Sequence, residues 1–103
     1  LHDALPIFII RPSEVSFIES ERRCAFIHEG TQVHRVYRKL SELLDELPPR
    51  FVRCHQSFLI NLDFVEKLGI DSLLLSTGDE VPVSRRCRPQ VRDALFERIG
   101  STF

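Results

Sequence analysis

Phe51-Val52-Arg53-Cys54-His55-Gln56-Ser57-Phe58-Leu59-Ile60-Asn61-Leu62 is the stretch on which the architecture turns. Residues 51–53 and 57–60 are rich in aromatic and β-branched side chains and read as two short strands. Phe51, Phe58 and Ile60 can pack inward. Arg53 and the segment Cys54-His55-Gln56-Ser57 then form a polar connection. Such a connection offers hydrogen-bonding groups on a short loop, where they can meet a base edge or a phosphate. Asn61 closes the second strand and reads as a turn cap through its own side chain.

The rest of the chain repeats this economy of short strands. Residues 15–19 (Val-Ser-Phe-Ile-Glu) read as a strand, and residues 24–29 and 32–37 flank Gly30-Thr31 as a hairpin. Residues 64–68 read as a further strand. Residues 72–76 and 80–84 form a second hairpin across Thr77-Gly78-Asp79. Pro82 has no N–H for a ladder, so its strand is expected at a sheet edge or at a bulge. Leu40, Leu43, Leu44 and Leu47 recur at helical spacing over residues 39–47. Ser41 is the expected N-cap and Pro48-Pro49 the stop. Pro89 opens a final helix over residues 89–98, with Val91, Ala94, Leu95 and Ile99 on one face and Gly100 as its end. Short strands with two short helices are not a βαβ alternation, which excludes a parallel nucleotide-binding sheet.

The 103 residues are 43% hydrophobic and 28% charged, and Lys+Arg 14 against Asp+Glu 15 gives a net charge of -1. That composition is one globular domain, neither disordered nor membrane-spanning. The apolar run from Leu5 to Ile10 is far shorter than the roughly 18–20 residues of a span. The start has no basic region before its apolar run, so a signal peptide is not expected. Its first residue is Leu, so a fragment of a longer chain is expected, with residues 1–6 as linker, residues 7–99 as the domain and residues 100–103 as a tail. Three unpaired cysteines (Cys24, Cys54, Cys87) fit reduced thiols in a cytoplasmic protein. There is no Gly-rich phosphate loop, no nucleophile elbow and no zinc motif. Neither a cofactor nor a metal is implied, and an enzyme has no constellation to rest on.

Near-neutrality hides a segregation. Residues 33–40, 50–61 and 84–92 carry bases and no acid, while the acids gather at residues 42–46, 63–71 and 79–80. Only Lys39 and Lys67 are lysine; the other bases are Arg, whose planar fork suits phosphate and the guanine O6/N7 edge. Gln56 can pair bidentately with adenine N6/N7. Ser84-Arg85-Arg86-Cys87-Arg88 sets a hydroxyl and three guanidinium groups just ahead of the last helix. Arg22-Arg23 lies on a loop between strands.

Residues 51–62 resemble the signature of the LytTR family, the DNA-binding domain of many bacterial response regulators. The likeness continues through Phe64-Val65-Glu66-Lys67-Leu68 and through Gly78-Asp79-Glu80-Val81-Pro82-Val83-Ser84-Arg85-Arg86. Upstream it takes in Glu14-Val15-Ser16-Phe17-Ile18-Glu19-Ser20 and Arg38-Lys39-Leu40-Ser41-Glu42-Leu43. In all it spans residues 7–99. It implies a mainly β, elongated arrangement of small antiparallel sheets with one or two short helices. It also implies loops, not a recognition helix, that enter successive major grooves of double-stranded DNA and bend it.

By that resemblance three places read bases: the loop around Arg22 to Cys24, Gln56, and Arg86. Arg53, His55, Ser57, Ser84, Arg85 and Arg88 then contact phosphate or support the readers. For His55 a buried, loop-orienting role stands beside phosphate contact. The implied protein is a transcriptional regulator with a receiver domain upstream, dimeric on paired half-sites. The alternative class is a β-rich protein-interaction module without DNA affinity.

Overall fold

The computed structural model describes residues 9–99. The expectations for residues 1–6 and 100–103, for the helix stop at Gly100 and for the Ile99 side chain lie outside the described residues. A 3-10 turn at Pro12–Glu14 leads into β1 (Val15–Glu21), β2 (Cys24–Glu29) and β3 (Gln32–Val36). Then come α1 (Leu40–Glu46), β4 (Phe51–His55), β5 (Phe58–Asn61) and a 3-10 turn at Leu62–Phe64. β6 (Val65–Leu68), β7 (Ser72–Leu75), β8 (Glu80–Pro82) and α2 (Arg88–Ile99) complete the described fold.

The strands form a five-stranded sheet in the order β3-β2-β1-β5-β4 and a three-stranded sheet in the order β6-β7-β8. Every pairing is antiparallel. The molecule is elongated, with extents of 53 × 26 × 25 Å. The mainly β reading therefore holds, and Pro82 does lie in an edge strand.

The core has two layers because successive side chains of a strand point to opposite faces. Leu59 and Ile60 are neighbours in β5, and both are fully buried. Leu59 packs with Ile18, Ile27 and Phe51 beneath Leu40 and Leu43 of α1. Ile60 packs on the other face with Phe17, Leu73, Leu75, Val81 and Val91, from the small sheet and α2. The five-stranded sheet is thus the middle layer, with α1 on one side and the small sheet with α2 on the other. Each fully buried Leu or Ile contributes roughly 1.5–3 kcal/mol of transfer free energy, which fixes the register against a one-residue slip.

Three sequence expectations are corrected. β4 runs to His55, so Cys54 is a strand residue on the side of Val52 and is fully buried in the core, not part of a polar loop. The connection shrinks to a two-residue turn, Gln56-Ser57, because His55 already pairs with Phe58. Lys39, not Ser41, is the N-cap of α1. The buried Leu40 is the first helical residue, and the Lys39 N–H is held by Glu42 Oε1 at 2.9 Å. The strand expected over residues 80–84 stops at Pro82.

Candidate nucleic-acid interface

Antiparallel pairing brings distant turns to one end of the large sheet. β1 ends at Glu21 beside Cys24 of β2, across the two-residue turn Arg22-Arg23. β1 also runs antiparallel to β5, with Glu19 opposite Phe58, so the Gln56-Ser57 turn emerges next to Arg22-Arg23. The Ser20 N–H donates to the Ser57 carbonyl at 2.8 Å and fastens the two turns together. β3 pairs Val36 with Ala25 of β2, so the chain leaves β3 toward Arg38 and Lys39 at that same end. The segment after β8 arrives from the small sheet: the Ser84 N–H donates to the Cys54 carbonyl at 2.9 Å.

Two adjoining depressions result. One, of about 200 Å³, is lined by Arg22, Arg23, Arg38, Lys39, Arg53 and Gln56 together with Ser20, Cys24, Leu40 and Ser41. The other, of about 500 Å³, is lined by Arg53, His55, Gln56, Ser84, Arg86 and Cys87. Arg53 and Gln56 belong to both. No carboxylate lines either hollow, although the chain as a whole carries more acids than Lys and Arg. A concave cationic lining without acids focuses an attractive field on an anion.

Local bonds hold the turn that presents Gln56. Arg53 Nη1 donates to the Gln56 carbonyl at 2.8 Å. The Ser57 N–H donates to His55 Nδ1 at 3.1 Å. With Nδ1 accepting, the neutral ring carries its proton on Nε2. The His55 ring also meets Phe58 edge-on, with centroids 5.7 Å apart. His55 therefore orients the loop and lines the larger depression at once. The Gln56 side chain is exposed and, among the described residues, makes no hydrogen bond, which leaves its amide for a partner.

Ser84 shapes the second turn. Its Oγ accepts from the Cys87 N–H at 3.1 Å, and its carbonyl accepts from the Arg88 N–H at 2.9 Å. Arg86 projects from that turn and is exposed, as is Arg85. Arg88 is half-buried and spent elsewhere: its Nε donates to the Gly69 carbonyl at 2.8 Å, tying α2 to the β6–β7 turn. Arg22 sits at φ 59°, a left-handed conformation in which a non-glycine residue is uncommon.

Of the ten residues singled out from sequence, Arg22, Arg23, Arg53, His55, Gln56, Ser84 and Arg86 line the paired depressions. Ser57, Arg85 and Arg88 line neither. Sequence reading passed over Arg38, Lys39 and Ser41 as lining residues. The signal was present in the acid-free run at residues 33–40, but only the return of β3 alongside β2 carries that run to the Arg22-Arg23 turn. Among the described residues no group of His, Cys, Asp or Glu could hold a metal ion. No described helix is long and apolar enough to cross a membrane.

An antiparallel scaffold whose turns converge on two adjoining depressions lined by Arg and by no acid defines a domain built for binding. The family model for the LytTr DNA-binding domain matches residues 6–96, and the chain belongs to that family. The LytTr DNA-binding domain of a Bacillus cereus response regulator superimposes with a TM-score of 0.78, at 25% identity, covering 84% of each chain. An uncharacterized response regulatory protein of Yersinia pestis is 28% identical over 95 residues, or 86% of this chain and 39% of that protein. The transcriptional regulatory protein BtsR of Escherichia coli K12 is 26% identical over 96 residues, with the same coverage. The chain thus spans about two fifths of the length of these relatives.

Proposed function

We propose that this LytTr domain binds double-stranded DNA sequence-specifically as the output domain of a two-component response regulator in the bacterial cytoplasm. The observation that carries the reading is the position of Gln56. It lines both acid-free depressions, with Arg22 and Arg23 on one side and Arg86 on the other. In this reading the Arg22-Arg23 turn, Gln56 and Arg86 face bases. Arg53, His55, Ser57, Ser84, Arg85 and Arg88 anchor phosphates or hold the readers in place. Binding, not catalysis, is the activity, and bending the duplex lets successive turns reach it. A receiver domain precedes the domain in the full chain, and two copies occupy paired half-sites.

Fluorescence anisotropy with a labelled random duplex tests the reading. Affinity should fall with salt at a slope of about -0.9 per phosphate contacted. Selection from a degenerate duplex pool should then enrich a defined site. Absence of salt-dependent affinity would favour a protein-interaction module and overturn the proposal.

A further inference from the structure

Arg38 lines two hollows at once. One is the acid-free depression that it shares with Arg22, Arg23, Lys39, Arg53 and Gln56. The other is an apolar groove between α1 and strands β1, β2 and β3, which Glu46 also lines. Arg38 Nη1 donates to Glu46 Oε1 at 3.0 Å, and Nη2 donates to Glu46 Oε2. This fork-on-fork geometry is the one a guanidinium also adopts on a phosphate. The shared hydrogen bonds hold the Glu46 carboxyl below its ordinary range and the Arg38 guanidinium above its own.

The other cationic side chains of that depression are paired with no carboxylate. Among the described residues Arg22, Arg23 and Lys39 make no ion pair, and Arg53 is bonded to a carbonyl. The side chains of Arg38 and Glu46 are 40% and 60% exposed, so the pair is open to solvent and to competing anions. Exposed pairs of this kind are weak and exchangeable.

We infer that Glu46 withholds Arg38 from the DNA backbone, so that the domain carries a latent phosphate anchor already occupied by its own helix. The inference rests on the DNA-binding reading above. A phosphate contact is blind to sequence and raises affinity for every duplex alike. Masking one such contact lowers binding to every duplex by the same factor while leaving Gln56 and Arg86 untouched, so it sets overall affinity and leaves the preference for a target unchanged. Glu46 is thereby a residue that sets the strength and salt dependence of DNA binding while touching neither base nor phosphate.

The test is a salt titration of the whole chain on a random duplex. Glu46→Gln should bind more tightly than wild type at 50 mM salt, with a slope steeper by about 0.9. Its advantage should then shrink about 3.5-fold by 200 mM, since one extra phosphate contact scales as salt to that power. Asp45→Asn removes the same charge one residue away and should leave the slope unchanged. Glu46→Gln in an Arg38→Gln background should gain nothing. An unchanged slope, a gain matched by Asp45→Asn, or a gain that survives without Arg38 would each overturn the inference. Failure of wild type itself to bind in a salt-dependent way would overturn the DNA-binding reading and this inference with it.

Discussion

The backbone N–H of Ser84 donates to the carbonyl of Cys54, and this bond ties the segment after the small sheet to the edge strand of the large one, over the core the two sheets share. Cys54 belongs to the strand that ends in the Gln56 turn, and Ser84 begins the turn that carries Arg86. Together with the shared core, the bond holds the spacing between a residue of the large sheet and a residue reached only through the small one. A rigid spacing of this kind matters for reading bases, because a misplaced donor loses its directional hydrogen bond.

Arg86 and Arg88 should separate when each is changed to Ala. Arg86 is exposed over the larger depression, and Arg88 is bonded to Gly69. Arg86→Ala should cost about 1–3 kcal/mol on a selected site and relax preference at one base position. Arg88→Ala should lower folding stability by about 1 kcal/mol and weaken all duplexes alike. Competition binding against single-base variants of the site reads the first effect, and urea denaturation reads the second. Identical, sequence-independent losses from both would remove Arg86 from the base-reading set.

Much of this surface was legible in the sequence because turn chemistry and alternation are local. Gly30-Thr31, Pro82 and the leucine stripe of α1 each announce their own structure. Arg53, Gln56 and Arg86 were identified by motif, and the structure brings those three together. Arg38 and Lys39 were not, because their place depends on the strand order β3-β2-β1-β5-β4, which no local pattern encodes. Cys54 was misread for a related reason. Its burial depends on the strand continuing one pair further, and a Cys beside His and Gln gives no sign of that. Arg88 looked like its neighbours in sequence, yet a carbonyl of the β6–β7 turn claims it.

Asn61 is buried among backbone groups and should tolerate no replacement. Its Nδ2 donates to the Val15 carbonyl at 2.9 Å, and its Oδ1 accepts from the Asp63 N–H at 3.0 Å. Asn61→Ala removes both bonds, leaves the buried Val15 carbonyl without this donor and should cost roughly 1–3 kcal/mol. Asn61→Asp should cost more, because a carboxylate would face the Val15 carbonyl with nothing to donate. Urea midpoints of the two variants check the order. An Asn61→Asp protein as stable as wild type would show that water reaches this site.

Cys54 makes stability depend on alkaline pH. Burial, with the neighbouring Cys87 adding to it, pushes its thiol up to about 12. An unfolded thiol titrates near about 8.5. The folded value is the higher one, so the contribution is intact below about pH 8.5 and is lost as pH rises toward 12. From pH 8.5 to 10 wild type should lose about 1.6 kcal/mol that Cys54→Ala does not lose. The comparison needs only denaturation curves at the two pH values. Parallel losses in both proteins would mean that the thiolate is solvated in the folded state.

Arg22 sets conformation against function at the tip of the first turn. At φ 59° its side chain costs roughly 1–2 kcal/mol in backbone sterics, and glycine at that position removes the cost. Part of the gain, roughly 0.5–1 kcal/mol, returns as entropy because the unfolded chain with glycine is freer. Arg22→Gly should therefore be as stable as wild type or up to about 1 kcal/mol more stable, by thermal unfolding. Its affinity for DNA should nonetheless fall several-fold, since the variant lacks one guanidinium of an acid-free surface. A residue held in an uncommon conformation that relaxes to a more stable protein when replaced is retained for what its side chain touches. A less stable Arg22→Gly with unaltered DNA affinity would instead make this arginine a structural part of the turn.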